Sequence, residues 1–200
     1  MRGEDVQDQK RTALAIQAMT MNFVRANRKG PIVQKDGKWT KPPPGHQLLN
    51  IDASFLETTR TGAMGIVVRD DTGSFVGAAC KKLSTVFDAE MAEAIALREG
   101  LLIAKQLACH RLIVHSDCAA VVEAYNSPNC LCTVSCHIVD ECRELGKDFG
   151  KILVQICNRE SNSVADELAK YGRDNPPNLW CDVPPDFIVP FLINDVTVMD

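Results

Sequence analysis

The stretch LLNIDASF, from Leu48 to Phe55, decides how the rest of this chain is interpreted. Its run of apolar and small residues is typical of a buried β-strand, but it also contains a carboxylate, Asp52. Burial of an unpaired charge costs several kcal/mol, or it shifts the pKa of the group until the group is neutral. Asp52 is therefore expected either to face water at the end of a strand or to lie beside a cation.

Around this stretch, the sequence predicts three strands in succession and then a segment in which helices and strands alternate. The turn sequence RDDTGS, residues 69–74, separates the second strand from the third, and three consecutive strands indicate an antiparallel meander. The long pattern at 87–108 consists of strong helix formers, with apolar residues three and four positions apart. The predicted order is β-β-β-α-β-α-α-β-α, over residues 47–55, 62–70, 74–83, 87–108, 111–117, 118–126, 133–149, 151–158 and 161–173.

Charge and composition divide the chain into three parts. Residues 1–45 carry a net charge of +5 and combine a helix pattern at 11–25 with a linker rich in Gly, Pro and Lys. Residues 46–173 carry −4 and contain the strands and helices predicted above. Residues 174–200 carry −5 and mix acidic with apolar residues. We therefore expect a basic N-terminal helix and linker, one folded domain, and a C-terminal tail that docks on this domain or on a protein partner.

Composition disfavours several classes of protein. No apolar run approaches the roughly 18 residues of a membrane-spanning helix, and the polar, acidic start of the sequence does not resemble a signal or transit peptide. The nine cysteines are an odd number, and no C-x-x-C motif occurs in the segment 130–137, which combines three of them with a histidine. The sequence therefore predicts reduced thiols, and an intracellular protein of the cytoplasm or nucleus that is neither secreted nor membrane-bound.

Four acids occur where their neighbours make acids unexpected. They are Asp52 in the first strand, Glu93 on the long helix, Asp117 at the end of the fourth strand and Asp166 early in the last helix. Carboxylates that converge at one edge of a sheet repel one another unless divalent cations lie among them. Hard oxygen ligands suit Mg²⁺ or Mn²⁺, and two such ions clamp a phosphodiester during hydrolysis. A metal is therefore the predicted partner of Asp52.

Each of these acids also has a purely structural interpretation. Asp117 is well placed to cap the helix that follows it, and Asp166 suits the positive end of a helix dipole. Glu93 competes with Glu90 and Glu99, which lie on the same predicted helix. The sequence leaves these alternatives open, and only the four acids taken together favour a site.

The chain resembles the ribonuclease H family in an ordered set of four motifs: NIDASF at 50–55, AEAIALREGL at 92–101, LIVHSD at 112–117 and NRESNSVADELAK at 158–170. The lead-in KWTKPPPGH and the tail WCDVPPDF look like segments that flank related domains in plant reverse-transcriptase-type and retrotransposon-derived proteins. The resemblance covers roughly residues 39–190. It implies a mixed α/β fold of the ribonuclease H-like type: a five-stranded mixed sheet with three antiparallel strands first and helices on both faces.

The same resemblance implies a site and an activity. It selects Glu93 over Glu90, because the family's acid falls seven residues before a small residue, here Gly100. The implied reaction is hydrolysis of the RNA strand of an RNA–DNA hybrid, which leaves a 3′-hydroxyl and a 5′-phosphate, and no small-molecule cofactor is implied. The implied catalytic carboxylates, which would bind two Mg²⁺ or Mn²⁺ ions, are Asp52, Glu93, Asp117 and Asp166.

Three positions depart from the family pattern. The family usually has Gly after the first Asp and Ser after the third acid, whereas this chain has Ala53 and Cys118. Active members often carry a His ten residues before the last Asp, in a loop that helps proton transfer or product release, and that position is Ile156. We therefore expect an intact metal site with impaired turnover. The alternative is a nucleic-acid-binding or regulatory module that keeps the fold without useful catalysis.

The N-terminal arm is the candidate for contacting nucleic acid, because the predicted domain itself is acidic. Phosphate contacts by cations dominate non-specific affinity for nucleic acid. A solvated linker is the alternative interpretation of this arm. The predicted contacts are Arg25, Arg28, Lys29, Lys35, Lys38, Trp39 and Lys41.

Overall fold

The computed structural model of this chain describes residues 38–127 and 134–197. The helix pattern at 11–25 lies outside the described residues. The described part contains six strands: β1 (Gln47–Leu56), β2 (Thr61–Arg69), β3 (Phe75–Leu83), β4 (Arg111–Ser116), β5 (Lys151–Ile156) and β6 (Asn178–Cys181). It also contains five α-helices: α1 (Ala89–Gln106), α2 (Ala119–Asn126), α3 (Val134–Gly146), α4 (Ser163–Asp174) and α5 (Val189–Thr197). None of the helices in this part of the chain is both long and apolar enough to cross a membrane.

One mixed sheet contains these six strands in the order β5-β4-β1-β2-β3-β6. β1, β2 and β3 form the predicted antiparallel meander, while β4 is parallel to β1 and β5 is parallel to β4. The mixed α/β fold is confirmed, but the predicted number of five strands is wrong, because β6 pairs antiparallel with β3. The four residues of β6 are too few to show a strand period in the sequence.

Helices pack on both faces of the sheet, as predicted. Leu97 of α1 shares a buried cluster with Ile51 and Ile66. Val67, the next residue along β2, belongs to a second cluster that includes Leu168 of α4. Successive strand residues point to opposite faces, so α1 and α4 cover opposite sides of the central strands.

The segment after α4 packs on the same sheet. Ile188, in a 3-10 turn just before α5, is fully buried in the cluster beneath α4. The rings of Tyr171 and Phe187 are stacked with their centroids 4.3 Å apart, and Trp180 of β6 meets both rings edge-on. The C-terminal tail therefore docks on the domain itself, which is one of the two alternatives that the sequence left open.

Cysteine chemistry differs from the sequence prediction at one position. Cys136 is disulfide-bonded, so the expectation that every cysteine is a reduced thiol is wrong there. Spacing in the sequence did not reveal this bond, because a disulfide depends on the distance between two side chains in the fold. The free thiols among the described residues are Cys80, Cys109, Cys118, Cys142, Cys157 and Cys181.

Candidate metal centre

The register of two parallel strands brings two of the predicted acids together. Asn50 of β1 pairs with His115 of β4, and Asp52 and Asp117 each lie two residues further along the chain. Because the strands are parallel, both carboxylates reach the same edge of the sheet. The N-cap position of α2 is Cys118. The alternative interpretation of Asp117 as a helix cap is therefore wrong.

Glu93 joins these two acids from α1. Its Oε1 accepts a hydrogen bond from the backbone N–H of Ala53 at 3.3 Å, which ties the helix to β1 beside Asp52. One carboxylate oxygen from each of Asp52, Glu93 and Asp117 lies within 4.8 Å of the others. We call these three residues the acid cluster. Its member on α1 is Glu93, whereas Glu90 is not part of the group.

Much of the acid cluster is withdrawn from water. Asp52 and Glu93 are each 8% exposed, and Asp117 is partly buried. The Oε2 atom of Glu93 is buried and has no hydrogen-bond partner. An unsatisfied carboxylate oxygen inside a protein is costly, and a bound cation would satisfy it. The donor set therefore fits a divalent metal ion.

Burial and mutual repulsion raise the pKa of two members of the acid cluster. The pKa of Asp52 is raised from 3.8 to about 7, first by burial and then by the charges of Asp117 and Asp166, while Arg159 opposes the shift. The pKa of Glu93 is raised well above its usual range, first by burial and then by the charges of Asp52 and Asp117. Without a cation, Asp52 is therefore partly protonated near neutral pH, and a divalent cation would displace its proton.

Asp166, the fourth predicted ligand, lies at the border of the acid cluster. It is in the first turn of α4, and its Oδ2 is 2.6 Å from Nζ of Lys170. Its charge raises the pKa of Asp52, so it is within electrostatic range. Its oxygens nevertheless fall outside the group within 4.8 Å. The structure thus brings three of the four predicted ligands together and leaves the fourth half-exposed beside a lysine.

Arg159 is a candidate functional residue that the sequence reasoning missed. It begins the 3-10 turn Arg159–Asn162 between β5 and α4. Its Nε lies 3.3 Å from Oδ2 of Asp117, and its side chain is 90% exposed. Its charge acts to lower the pKa of both Asp52 and Glu93. The signal was present in the motif NRESN, because a cation shortly before α4, the helix that carries Asp166, lies near the convergence of the acids.

The departures from the family pattern have structural counterparts. Ile156, ten residues before Asp166, is the last residue of β5, and its side chain packs against the main hydrophobic core. It therefore provides no titratable group at that position. Burial raises the pKa of the Cys118 thiol to about 11, so this thiol is uncharged near neutral pH.

Trp39 has a different role from the predicted one. Its side chain is 2% exposed, its Nε1 donates a hydrogen bond to Oδ1 of Asn50 at 3.3 Å, and the Arg69 guanidinium lies 3.7 Å from the ring centroid. Trp39 is therefore a core residue, and its predicted contact with nucleic acid is wrong. Lys38 and Lys41 are exposed. The other predicted cations lie outside the described residues: Arg25, Arg28, Lys29 and Lys35.

The order of the strands, the helices on both faces, and the acids within β1 and directly after β4 define the ribonuclease H-like class of fold. Many similar structures have been solved, and three of them illustrate the likeness. An N-terminal RNase H domain from Mycobacterium tuberculosis, fused to maltose-binding protein, is 21% identical with a TM-score of 0.60, covering 64% of this chain and 94% of that chain. RNase H1 from the archaeon Halobacterium salinarum is 19% identical, and the alignment has a TM-score of 0.61 and covers 64% of this chain and 98% of that chain. LC11-RNase H1, solved in complex with an RNA/DNA hybrid, is 15% identical, and the alignment has a TM-score of 0.59 and covers 64% of this chain and 96% of that chain.

Sequence comparison assigns the family. The model of the reverse transcriptase-like family matches residues 50–172, a range that contains all four predicted acids. The chain belongs to the reverse transcriptase-like family, and the predicted likeness to the ribonuclease H-like superfamily is confirmed. A comparison with the curated proteins gave no match.

Proposed function

We propose that this chain is a divalent-metal-dependent nuclease that hydrolyses the RNA strand of RNA–DNA hybrids. The observation that carries the proposal is the acid cluster, in which carboxylates from β1, from α1 and from the residue after β4 lie within 4.8 Å of one another and one buried oxygen lacks a hydrogen-bond partner. The family match supports this function at the level of the family. The hybrid bound by LC11-RNase H1 supports the class of substrate.

Each residue at the site has a proposed role. The acid cluster would hold the metal, with Asp166 as the fourth ligand, and carboxylate oxygens are the donors that Mg²⁺ and Mn²⁺ prefer. Two bound ions would supply activation of a water molecule and stabilisation of the leaving oxygen. The N–H of Ala53 fixes Oε1 of Glu93, which leaves Oε2 as the oxygen to face an ion. Arg159 offsets part of the negative charge that would otherwise repel a polyanionic substrate.

Cleavage of a labelled RNA–DNA hybrid, first with Mg²⁺ and then with Mn²⁺, tests the proposal. We expect cuts in the RNA strand that leave 3′-hydroxyl ends, and loss of cutting in Asp52→Asn and Glu93→Gln. Glu99→Gln is the matched control, because Glu99 lies on the same helix but pairs with Lys81 and Arg98 outside the acid cluster. Cutting that survives in Glu93→Gln, or absence of cutting by the wild type with either metal, would contradict the proposal.

A second candidate function is a nucleic-acid-binding or regulatory module with impaired catalysis. Ile156 favours it, because an apolar side chain that packs against the core occupies the position at which active members of the resembled family often carry a His. The same assay separates the two functions. A module would bind the hybrid without cutting it, whereas an enzyme with slowed turnover would cut it at a reduced rate that depends on Glu93.

We also propose that the N-terminal arm contributes cations for nucleic-acid binding by the acidic domain. Lys38 and Lys41 remain candidates on the described surface. A deletion test would have to stop before Trp39, because this residue is part of the core. Substitution of Arg25, Arg28, Lys29 and Lys35 by Ser in the full chain avoids that problem. We expect the salt dependence of hybrid binding to decrease by about 0.7–0.9 in log–log slope for each lost phosphate contact, and an unchanged slope would exclude the arm.

Three broader expectations stay predictions. They are a plant, retrotransposon-derived origin, a location in the cytoplasm or nucleus, and a protein partner for the C-terminal tail. The tail docks on the sheet through Ile188, which is fully buried, while Ile193 of α5 is 57% exposed. Ile193 is therefore a candidate contact for a protein partner of the tail.

A further inference from the structure

A buried polar network connects the lead-in before β1 with the sheet and with α5. Its hub is Asn50 of β1, which is fully buried and lies two residues before Asp52. The Oδ1 atom of Asn50 accepts hydrogen bonds from Nε1 of Trp39 and Nη2 of Arg69, both at 3.3 Å. Arg69 is 1% exposed and forms an ion pair with Asp195 of α5 at 2.7 Å. One side of the hub is thus anchored to both ends of the described domain.

The amide nitrogen of Asn50 connects this network to the residues beside the candidate metal centre. Nδ2 of Asn50 donates to Oδ1 of Asn162 at 3.1 Å and to the carbonyl of Ser161 at 3.4 Å. Nδ2 of Asn162 in turn donates to the carbonyl of Ile51 at 2.9 Å. The amide of Asn50 therefore uses two acceptor sites and both donor hydrogens. Asn162 occupies the N-cap position of α4, the helix that carries Asp166.

We propose that Asn50 is a positioning residue that holds β1 and the start of α4 together, and thereby fixes Asp52 relative to Asp166 and Glu93. This inference rests on the proposed function of the acid cluster as a metal site. The carbonyl of Ile51 belongs to the peptide that leads into Asp52, so the bond from Asn162 constrains the backbone at the ligand itself. Partners of this kind orient the ligands of a metal and tune its affinity.

Each hydrogen bond of this network has a defined donor and acceptor, so a substitution that removes one donor tests the network. Asn50 donates to Asn162, and Asn162 donates to the carbonyl of Ile51. If Asn50 loses its donor, Asn162 must either face a second acceptor or turn its amide and lose the bond to Ile51. Asn50→Asp makes this change with almost no change in volume. It keeps acceptors for Trp39 and Arg69 and places a negative charge beside the guanidinium.

Asn126→Asp provides the control for the loss of donated hydrogen bonds, at an exposed position at the end of α2. Nδ2 of Asn126 also donates to two carbonyls, those of Val122 and Val154, both at 2.9 Å. The substitution therefore removes the same number of donated hydrogen bonds outside the network. Both variants are made in the full chain.

Two measurements on the metal-free and Mn²⁺-bound proteins test the inference. Hydrogen exchange of the Ala53 amide, followed by NMR, reports its bond to Glu93 without any metal. In Asn50→Asp, we expect exchange at Ala53 to accelerate about tenfold relative to amides of the β2–β3 ladder, and Mn²⁺ to bind about tenfold more weakly. In Asn126→Asp, neither quantity should change by more than about twofold relative to the same ladder amides.

Each outcome decides the inference. If Asn50→Asp matches Asn126→Asp in both measurements, the network is merely structural and the inference is wrong. If the wild type binds no Mn²⁺, the proposed function fails, but the exchange at Ala53 still decides whether Asn50 positions the cluster. If Asn50→Asp does not fold, Trp39→Phe removes one hydrogen bond to Asn50 and keeps an aromatic ring, and we expect about threefold changes in the same direction.

Discussion

Substitution of Gly65 by Ala tests whether close packing between the sheet and α4 sets the geometry of the candidate site. Gly65 of β2 is the cross-strand partner of Asp52. A Cβ atom at this position would lie 2.1 Å from the carbonyl oxygen of Ala165 and 2.3 Å from the backbone nitrogen of Ala169, both on α4. Ordinary contact begins near 3.4 Å, so α4 would have to retreat by about 1 Å.

The expected cost follows from the kind of atoms that obstruct the new methyl group. Overpacking of a core costs about 1–3 kcal/mol, and backbone atoms of a helix cannot turn aside as a side chain can. We therefore expect Gly65→Ala to lower the free energy of unfolding by about 3 kcal/mol, or the Tm by roughly 6–12 °C. The retreat of α4 also carries Asp166, which follows Ala165 in the chain, away from Asp52. A misplacement of about 1 Å costs on the order of 100-fold in rate.

Thermal unfolding and the rate of hybrid cleavage with Mn²⁺ measure these two effects. Gly172→Ala is the control on the same helix, because its Cβ would meet the side chains of Cys80 at 3.1 Å and Ala63 at 3.3 Å. Replacement of Gly by Ala within a helix also gains up to about 1 kcal/mol. We expect Gly172→Ala to stay within about 1 kcal/mol of the wild type. If Gly65→Ala behaves like Gly172→Ala, the reasoning about close packing is refuted.

Three further predictions concern charge. Asp52→Asn should raise the free energy of unfolding of the metal-free protein at pH 8 by up to about 4 kcal/mol. The reason is that the pKa of Asp52 in the folded protein, about 7, exceeds its ordinary value of 3.8. The wild type therefore loses stability as the pH rises through this window, whereas the variant does not. Urea titrations should show that the gain vanishes below pH ~4, and a gain independent of pH would contradict the cause. Asp195→Asn should lower the free energy of unfolding by about 3–5 kcal/mol, because it leaves Arg69 buried without its carboxylate partner. The double variant Arg69→Met with Asp195→Leu should recover most of that loss in denaturant unfolding. Equal losses in the two variants would exclude the ion pair as the reason. Calorimetry should show Mn²⁺ binding more tightly as pH rises from about 6 to about 8, because Asp52 then loses its proton, and a flat profile would place the metal elsewhere.

Local patterns explain how much of the fold and site could be predicted from the sequence. The strands and helices of the domain have clear periodic patterns of apolar residues. Asp52 was recognisable because burial of an unpaired acid in an apolar strand costs several kcal/mol. Asp117 follows a short buried strand that ends at the same sheet edge. Glu93 required the spacing of the family motif, because Glu90 and Glu99 offer the same chemistry on the same helix.

Features that depend on contacts between distant parts of the chain were not predictable. Trp39 lies in a sequence of lysines and prolines that suggests exposure, yet Asn50 and Arg69 enclose it. In the sequence, Asp195 cannot be distinguished from the other acids of the acidic tail, and only the fold shows its ion pair with the buried Arg69. The pair between Arg159 and Asp117 depends likewise on how the turn after β5 meets the end of β4.

Diffraction from crystals that contain Mn²⁺, recorded for the anomalous signal of manganese, tests the central claim most directly. We predict a peak enclosed by carboxylate oxygens of Asp52, Glu93 and Asp117, at metal–oxygen distances of about 2 Å. The same crystals of Glu93→Gln should show a weaker peak or none at this position. A wild-type peak at another position, or no peak under saturating Mn²⁺, would contradict the assignment of the acid cluster as a metal site.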